Sequence, residues 1–417
     1  MMKNEFIIEH VEVRDSNIIF NYKINGEWKK YFKERNQYSI EYSEPVGKCP
    51  KSIAVVPLLT NILPVAWLFD ATIKVNEIDE DFLESIKDFK SGYENMYPNI
   101  AFKGRLDIGR VVKNKVKRTN CVGAFYSGGL DATSTLASHY DERPVLMNIQ
   151  GSDVKVKHKA TIKSIQKVLA GNAKELGLQI IFIKSEFRKV LDTKKLDHYI
   201  RKFINDNYWH AFQHGIAIIG HGAPVAFVNN LKNIYIASSF TIGDKVACAS
   251  DPTIDNFVRF SGTRTIHDGY EMDRIAKTKN IGRFLKENGN KKISLRVCLD
   301  DFRVENCCHC EKCYRTIYGF IATGFDPKKF GFNLDKNFHK RVQREFKTML
   351  ILENLWFWTK IQNEFKNNPN LKNNKDLQWI YEYDFEKCNK NKLKYIVKYT
   401  NAIIRRIKKM VILIKMR

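Results

Sequence analysis

The sequence predicts an α/β fold: a doubly wound parallel sheet with an N-terminal α+β domain and a helical, basic C-terminal extension. Strand-like and helix-like segments alternate from Cys121 to about Phe330, which is typical of a parallel sheet covered on both faces. A glycine turn lies where the first of these strands gives way to a helix. The 417 residues, 44% of them hydrophobic, are enough for several packed cores. We therefore expect three domains, 1–115, 116–330 and 331–417.

The first 115 residues predict an accessory α+β domain. Alternating hydrophobic residues predict three strands, at Phe6–Val13, Ile18–Ile24 and Trp28–Phe32. Asn25-Gly26 predicts a hairpin turn between the last two. A further strand at Ala71–Val75 precedes a helix from Asp79 to about Met96, whose acidic start favours a helix N-terminus.

The middle region predicts a sheet domain with a ligand site at one edge. The predicted strands are Val122–Tyr126, Val145–Ile149, Ile180–Ile183 and Ile234–Ala237. The helices between them are predicted at Leu130–Ser138, Lys155–Leu176 and about Asp206–Val228. Ligands of such sheets bind at the carboxyl ends of the strands, so the loops after these four strands are expected to surround a site.

The sequence FYSGGLDATS, from Phe125 to Ser134, predicts a phosphate-binding loop. Its two glycines permit a tight turn and a close approach of backbone N–H groups, and the following helix start adds positive dipole character. The segment has neither the lysine of a Walker loop nor the third glycine of a dinucleotide fingerprint, which disfavours ordinary kinases, GTPases and dehydrogenases. The predicted pyrophosphate-binding residues are Ser127, Gly128, Gly129, Leu130, Asp131, Thr133 and Ser134.

This loop closely resembles the SGGxDS signature of the PP-loop, or N-type, ATP pyrophosphatases, with Ala132 where that family usually has serine. The resemblance implies an adenine nucleotide alpha-hydrolase-like fold, cleavage of ATP between its α and β phosphates, and adenylation of a substrate oxygen. It also implies that Asp131 holds Mg²⁺ on the pyrophosphate. The alternative interpretation is a Gly-Gly turn whose aspartate only caps a helix.

Four cysteines with the spacing C-x8-C-x2-C-x2-C predict a metal site: Cys298, Cys307, Cys310 and Cys313. Two thiolates of a Cys-x-x-Cys turn can face one ion, and others from the same stretch complete a closed tetrahedral shell. Such a zinc site is structural because no position is left for water. An iron–sulfur cluster is the alternative that the spacing leaves open. Cys308 is expected to be a bystander.

The glycine turn and the cysteine cluster together are similar to the arrangement in the 7-cyano-7-deazaguanine synthase (QueC-like) family of queuosine biosynthesis. The resemblance covers about Val122–Ile321, half of the chain. It implies that a carboxylate is adenylated with ATP, that ammonia forms an amide, and that a second ATP dehydrates the amide to a nitrile. It further implies ATP binding by Ser127, Gly128, Gly129, Asp131 and Thr133, and structural zinc on the four cysteines.

The sequence is compatible with more than one acceptor for this chemistry. Ser250–Phe257 resembles the segment by which that family holds its deazaguanine. The additional terminal regions depart from the short biosynthetic enzyme, and QueC-like proteins associated with bacterial defence or surface-polymer loci suggest another small-molecule or protein carboxylate. Arg264 and Lys277 follow the fourth strand and are candidates to neutralise phosphate charge, beside the alternative of a surface loop and an amphipathic helix.

The charge of the chain is +24, from 70 Lys and Arg against 46 Asp and Glu. Half of the excess lies in 331–417, which has 20 basic and 8 acidic residues. A basic amphipathic helix is predicted at Leu393–Arg417, and docking on its own domain or on a second subunit is favoured over anionic lipid or RNA. The N-terminus has no apolar signal core, and nine cysteines suit reduced thiols and metal ligands, so a cytoplasmic location is expected.

The leading hypothesis is an ATP-dependent carbon–nitrogen ligase that uses Mg²⁺, adenylates a carboxylate, releases pyrophosphate and passes the acyl group to a nitrogen nucleophile. Asp131, Arg264 and Lys277 are its candidate catalytic residues. A PP-loop tRNA-modifying sulfurtransferase, with Cys121 or Cys248 as the sulfur carrier, is one alternative. A non-catalytic nucleotide-binding module, suggested by Ala132, is the other.

Overall fold

The computed structural model describes residues 3–114, 119–244, 246–298, 305–352 and 355–390. The chain divides into two compact units, 1–273 and 274–417. These boundaries differ from the three domains expected from the sequence. The reason is that the strands of the first 115 residues continue the same sheet as the middle region instead of forming a sheet of their own.

The first unit contains one sheet of eleven strands, in the order β10-β11-β9-β6-β7-β8-β3-β2-β1-β4-β5. Their bounds are β1 Glu5–Val13, β2 Asn17–Asn25, β3 Gln37–Tyr42, β4 Thr72–Asp79, β5 Arg105–Val112, β6 Val122–Phe125, β7 Val145–Gln150, β8 Ile180–Ser185, β9 Asn233–Ala237, β10 Arg259–Phe260 and β11 Thr263–Asp268.

The five neighbouring strands β11, β9, β6, β7 and β8 are parallel, as alternating strands and helices predict. β3 then joins β8 in antiparallel orientation, at Tyr42 opposite Ile183, and connects the N-terminal strands to the sheet. The predicted α/β class is therefore confirmed at the level of a mostly parallel sheet with flanking helices. Because the five strands share a direction, the loops after β6, β7, β9 and β11 lie at one edge of the sheet.

The α-helices of the first unit are α1 Lys51–Ala54, α2 Val56–Leu68, α3 Glu80–Met96, α4 Leu130–Ser138, α5 Lys159–Leu176, α6 Thr193–Ile200, α7 His214–His221, α8 Ala223–Val228 and α9 Pro252–Asp255. α3 begins where its acidic start predicts, because the Asp79 side chain caps it by accepting a hydrogen bond from the Phe82 N–H. The apolar helix α2 is buried along nearly its whole length.

The strand predicted at Trp28–Phe32 and its hairpin with β2 differ from the structure. Trp28–Phe32 was expected to be a strand, but Glu27–Tyr31 is a 3₁₀ helix, because Gly26 turns the chain at a φ of 93° and the Trp28 indole is buried with its N–H donated to the Asn25 carbonyl. The hairpin partner of β2 is instead β3, whose strictly alternating burial the sequence reading missed.

The single helix predicted at about Asp206–Val228 is interrupted. It consists of a π-helical turn at Trp209–Gln213, then α7, then α8, which begins at Ala223 with Gly222 as its N-cap and Pro224 in its first turn. Among the described residues, Trp209–Val228 is the helical stretch with the length and composition of a membrane span. Most of it is buried inside the unit, as in a core helix.

A buried polar network joins the N-terminal strands to the parallel part of the sheet. The Tyr38 hydroxyl lies 2.7 Å from His221 Nε2 and 2.8 Å from the Ser185 hydroxyl, and His221 Nδ1 faces the Ala217 carbonyl. Both ring nitrogens of this fully buried histidine are thus satisfied when Nδ1 carries the proton. Burial lowers the pKa of His221 to about 4, although the Ala217 carbonyl acts in the opposite direction.

Because the pKa of His221 is lowered by burial, we expect the free energy of unfolding to depend on pH. The unfolded chain binds a proton at His221 below about pH 6.5, whereas the folded chain binds it only below about pH 4, so stability falls as the pH drops between these values. A shift of that size corresponds to about 3 kcal/mol. Urea unfolding at pH 7.5 and at pH 5 should show a smaller loss of stability in His221→Gln than in the wild type. An equal loss in both proteins would contradict the assignment.

The second unit is helical where it is described. Its helices are α10 Arg274–Glu287, α11 Glu311–Ala322, α12 Phe338–Thr348, α13 Leu355–Asn367 and α14 Gln378–Glu382. An aromatic core holds them together, and the buried Trp358 donates its indole N–H to Glu311 at 2.9 Å. The amphipathic helix predicted at Leu393–Arg417 lies outside the described residues.

Candidate functional site

The end of β6 is fixed by its neighbours before the chain enters the glycine turn. The Tyr126 N–H donates to the Met147 carbonyl of β7, and the Tyr126 carbonyl accepts from the Asn148 side chain at 2.9 Å. The Tyr126 hydroxyl, which is buried, accepts from Asn172 of α5 at 3.0 Å. The glycine turn and α4 therefore follow a residue whose backbone and side chain are both fixed by hydrogen bonds at the carboxyl edge of the sheet.

The turn itself has the backbone geometry that an anion site requires. Gly128 has a φ of 74°, in the left-handed region that favours glycine. Gly129 is the N-cap of α4 and has no side chain to cap the helix, so the N–H groups of its first turn are not covered by a cap. These donors, with the positive end of the helix dipole, lie at the carboxyl edge of β6.

The structure brings most of the predicted phosphate ligands to this turn but not all of them. Ser127 is exposed, and its hydroxyl accepts the Gly129 N–H at 3.2 Å. Asp131 lies half-buried in the first turn of α4. Thr133 and Ser134 are buried, with 1% and 0% of their surface exposed. The backbone of Gly128, Gly129 and Leu130 thus contributes more to the candidate site than the two later hydroxyls.

Of the two predicted basic residues, Arg264 lies in the first unit and Lys277 in the second. Arg264 is a candidate in the sequence because its segment follows the fourth predicted strand. In the structure that segment is the strand β11, and Arg264 pairs with Asn233 at the amino ends of β11 and β9. Arg264 is therefore at the edge of the sheet opposite to the glycine turn. Lys277 lies on α10 in the second unit, where its side chain is buried.

A carboxylate–histidine pair that sequence reasoning missed lies at the carboxyl end of β11. His267 Nδ1 is 2.8 Å from Asp255 Oδ2, and the Ser250 hydroxyl donates to the same oxygen, also at 2.8 Å. Both side chains of the pair are almost fully buried, at 1% and 0% exposure. Burial raises the pKa of Asp255, and the hydrogen bond from His267 counteracts part of that effect.

A second histidine is held between carboxylates on the other face of the sheet. His139, at the end of α4, has Nδ1 2.5 Å from Glu142 and Nε2 2.9 Å from Asp268, and its ring stacks on Tyr235. Burial lowers the pKa of His139, but the hydrogen bonds to Asp268 and Glu142 outweigh it, so the pKa is raised. A protonated histidine at a helix C-terminus also interacts favourably with the dipole.

The four predicted cysteine ligands come together in the second unit. Their Sγ atoms all lie within 4.8 Å of one another, and Cys307 and Cys313 are 3.8 Å apart. A tetrahedral ion with metal–sulfur bonds of about 2.3 Å holds its sulfurs roughly 3.8 Å apart. Cys308 is not part of the group, and its Sγ lies near the Asn306 carbonyl instead. The structure therefore has a Cys₄ group that fits a single metal ion.

Local hydrogen bonds position these thiols. Cys310 is the N-cap of α11 and accepts the Cys313 N–H, and Cys307 accepts the His309 N–H. The Asn306 side chain accepts from the Val297 N–H and donates to the Leu295 carbonyl, which ties the segment before Cys298 to the turn that carries the other three.

The electrostatics of the cluster also favour a cation. Hydrogen bonds with the adjacent Cys298 and Cys310 thiols raise the pKa of Cys307, and repulsion from the charge on Cys310 adds to this effect. A divalent ion reverses this effect by stabilising the thiolates. The donor set, four sulfurs in a closed group, is the one that structural zinc sites use.

Searches against protein-family models, curated proteins and solved structures find no match to this chain. The fold and the two sites therefore carry the functional inference. The glycine turn can hold an anion at the positive end of α4, and the cysteine group can hold a metal ion.

Proposed function

We propose that this protein is an ATP-dependent ligase that adenylates a carboxylate, releases pyrophosphate and passes the acyl group to a nitrogen nucleophile. The observation that carries the proposal is the Gly128-Gly129 turn between a buried parallel strand and a helix N-terminus. A turn of this kind offers several N–H donors to the β and γ phosphates, which become the leaving pyrophosphate. Asp131, the second residue of α4, is the proposed ligand of Mg²⁺ on those phosphates.

Zinc is the proposed occupant of the cysteine group, in a structural role. All four positions of a tetrahedral shell are taken by protein sulfurs, so no position is open for water or substrate. The 3.8 Å between Cys307 and Cys313 suits one ion, whereas a four-iron cluster would separate cysteines that each bind a different iron. We also propose that the protein is QueC-like and that its acceptor is an acid related to deazaguanine.

A non-catalytic nucleotide-binding module is the second candidate. Ala132 stands where the resembling family usually has a serine, and Thr133 and Ser134 are buried. The sulfurtransferase hypothesis receives less support, because Cys121 precedes β6 at the edge opposite to the turn, and burial raises the pKa of Cys248 to about 12. A thiol with such a pKa is almost entirely protonated at neutral pH.

The proposal predicts the products of ATP cleavage. The purified chain with Mg²⁺ and ATP is screened against carboxylic acids, including a 7-deazaguanine carboxylic acid, for pyrophosphate release. We expect AMP and pyrophosphate with at least one acid, and a loss of about 100-fold or more in Asp131→Asn, since such groups act on developing charge. Asp141→Asn, a nearby exposed aspartate, is the matched control and should retain activity. ADP and phosphate as products would contradict the proposal, and ATP binding without turnover would favour the non-catalytic module.

A further inference from the structure

The Asp255–His267 pair differs from an ordinary buried structural histidine. His221 satisfies both ring nitrogens, one with the Ala217 carbonyl and the other with two hydroxyls. His267 satisfies only Nδ1, and within the described part of the chain its buried Nε2 has no hydrogen-bond partner. Leaving a buried polar atom unsatisfied costs free energy, and no described residue supplies the partner that Nε2 needs.

The hydrogen bonds fix the tautomer of His267. Asp255 Oδ2 already accepts from the Ser250 hydroxyl, so it faces Nδ1 as an acceptor and the proton is on Nδ1. Nε2 then carries a lone pair. Asn256 also accepts the His267 backbone N–H at 2.7 Å, which fixes the position of the ring along β11. An imidazole oriented by a carboxylate in this way is the arrangement of a general base.

Asp255 is closely packed against the first unit's core. Helix α7 approaches at Gly215, where an added Cβ would overlap Asp255 Oδ1 and the Ser250 backbone. The Thr265 hydroxyl, two residues before His267 on the same face of β11, is also buried without a partner among the described residues. Two polar atoms on one face of β11 are therefore buried in the first unit without a hydrogen-bond partner among the described residues.

The pair lies at the correct edge of the sheet for the proposed reaction. His267 is opposite Ile236 of β9, one residue before the carboxyl end of both strands. β9 lies between β11 and β6, so His267 is two strands, or roughly 10 Å, from the strand that leads into the glycine turn. Near this edge, the Ile242 N–H donates to the carbonyl of Tyr270, which follows β11.

Resting on the proposed function, we propose that His267, oriented by Asp255, is the general base for the nitrogen nucleophile that attacks the acyl adenylate. The nitrogen forms a bond to the acyl carbon, and the bond from that carbon to the AMP oxygen breaks. AMP leaves with the electron pair, and the proton of the nucleophile moves to His267 Nε2. The resulting imidazolium is stabilised by Asp255 and later releases the proton to solvent.

The first test concerns the imidazole itself and needs no substrate. In protein labelled with ¹⁵N-histidine, the His267 signals are identified by their absence in His267→Asn. At pH 7 we expect a protonated Nδ1 and an unprotonated Nε2. A protonated Nε2 would overturn the proposal. The titratable groups around the pair are Tyr93, Cys248, Asp251 and Tyr270.

The second test separates the two half-reactions, using an acid found in the pyrophosphate screen. His267→Asn and the more isosteric His267→Gln should retain ATP–pyrophosphate exchange within about threefold, because adenylation precedes the proton transfer. Amide formation from ammonium chloride should fall about 100-fold or more. Hydroxylamine reacts with activated acyl groups without a catalyst, so its product should form at nearly the wild-type rate. Retained exchange also reports that the variant is folded.

His139→Asn is the matched control, since this histidine is also bonded to carboxylates but lies on the other face of the sheet. It should leave both half-reactions unchanged. Unimpaired amide formation in the His267 variants, or equal loss of exchange and amide formation, would overturn the role of His267 as general base. Neither result would contradict the proposed function. Absence of exchange in the wild type with every acid would contradict the proposed function together with this step.

Discussion

Gly128→Ala is expected to weaken ATP binding about tenfold or more. At a φ of 74° an L-residue is strained by roughly 1–2 kcal/mol, so alanine either holds this geometry at a cost or moves the backbone donors away from the phosphates. A factor of ten in affinity corresponds to about 1.4 kcal/mol. Isothermal titration of the purified variant with Mg²⁺ and ATP measures the change directly.

Gly262→Ala is the control for backbone strain. Gly262 has a φ of 80°, and an added Cβ there would meet no atom within 4 Å. Both variants should lose similar stability in thermal unfolding, but only Gly128→Ala should lose affinity for ATP. Equal affinity in the wild type and Gly128→Ala would show that the nucleotide does not use this turn.

Removal of the metal is expected to have the largest effect on stability. Structural zinc contributes about 10–16 kcal/mol in small zinc domains, and here it would join the start of α11 to Cys298 and the residues before it. We expect about one zinc per chain by elemental analysis. Cys313→Ala should lose the metal and lower the melting temperature of the second unit by about 10 °C or more, since a few kcal/mol produce such a shift in a unit of this size.

Cys308→Ala is the matched control for this experiment, because Cys308 lies between two ligands and its thiol is outside the group. It should keep the metal content of the wild type. Zinc loss in Cys308→Ala with retention in Cys313→Ala would contradict the assigned ligand set. Iron with inorganic sulfide in place of zinc would contradict the proposed metal.

The sequence predicts those elements whose determinants are local. β6 and α4 lie within one residue of their predicted bounds, because an apolar run, a glycine pair and a helix start follow one another directly. The cysteine group is predicted for the same reason, since its ligand spacing is contained in a short stretch. The Asn306 bridge that closes the group depends on a side chain with no ligand signature.

The features that sequence reasoning missed depend on tertiary packing. Asp255 and His267 are 12 residues apart and meet only because α9 packs against β11. Arg264 is predicted near the phosphates because it follows the fourth predicted strand, but it lies near the start of a further parallel strand, β11, whose direction places it at the opposite edge. The Trp28 segment has the alternation of a strand, but Gly26 and the buried indole favour a 3₁₀ helix.

The most direct test of the account is to locate bound ATP on the protein by amide-detected NMR with Mg²⁺ and ATP. We expect the largest shift changes at the backbone N–H groups of Ser127–Asp131, and their loss in Gly128→Ala. Shift changes confined to other parts of the first unit, or none at millimolar ATP, would contradict the central claim that the glycine turn holds the nucleotide phosphates.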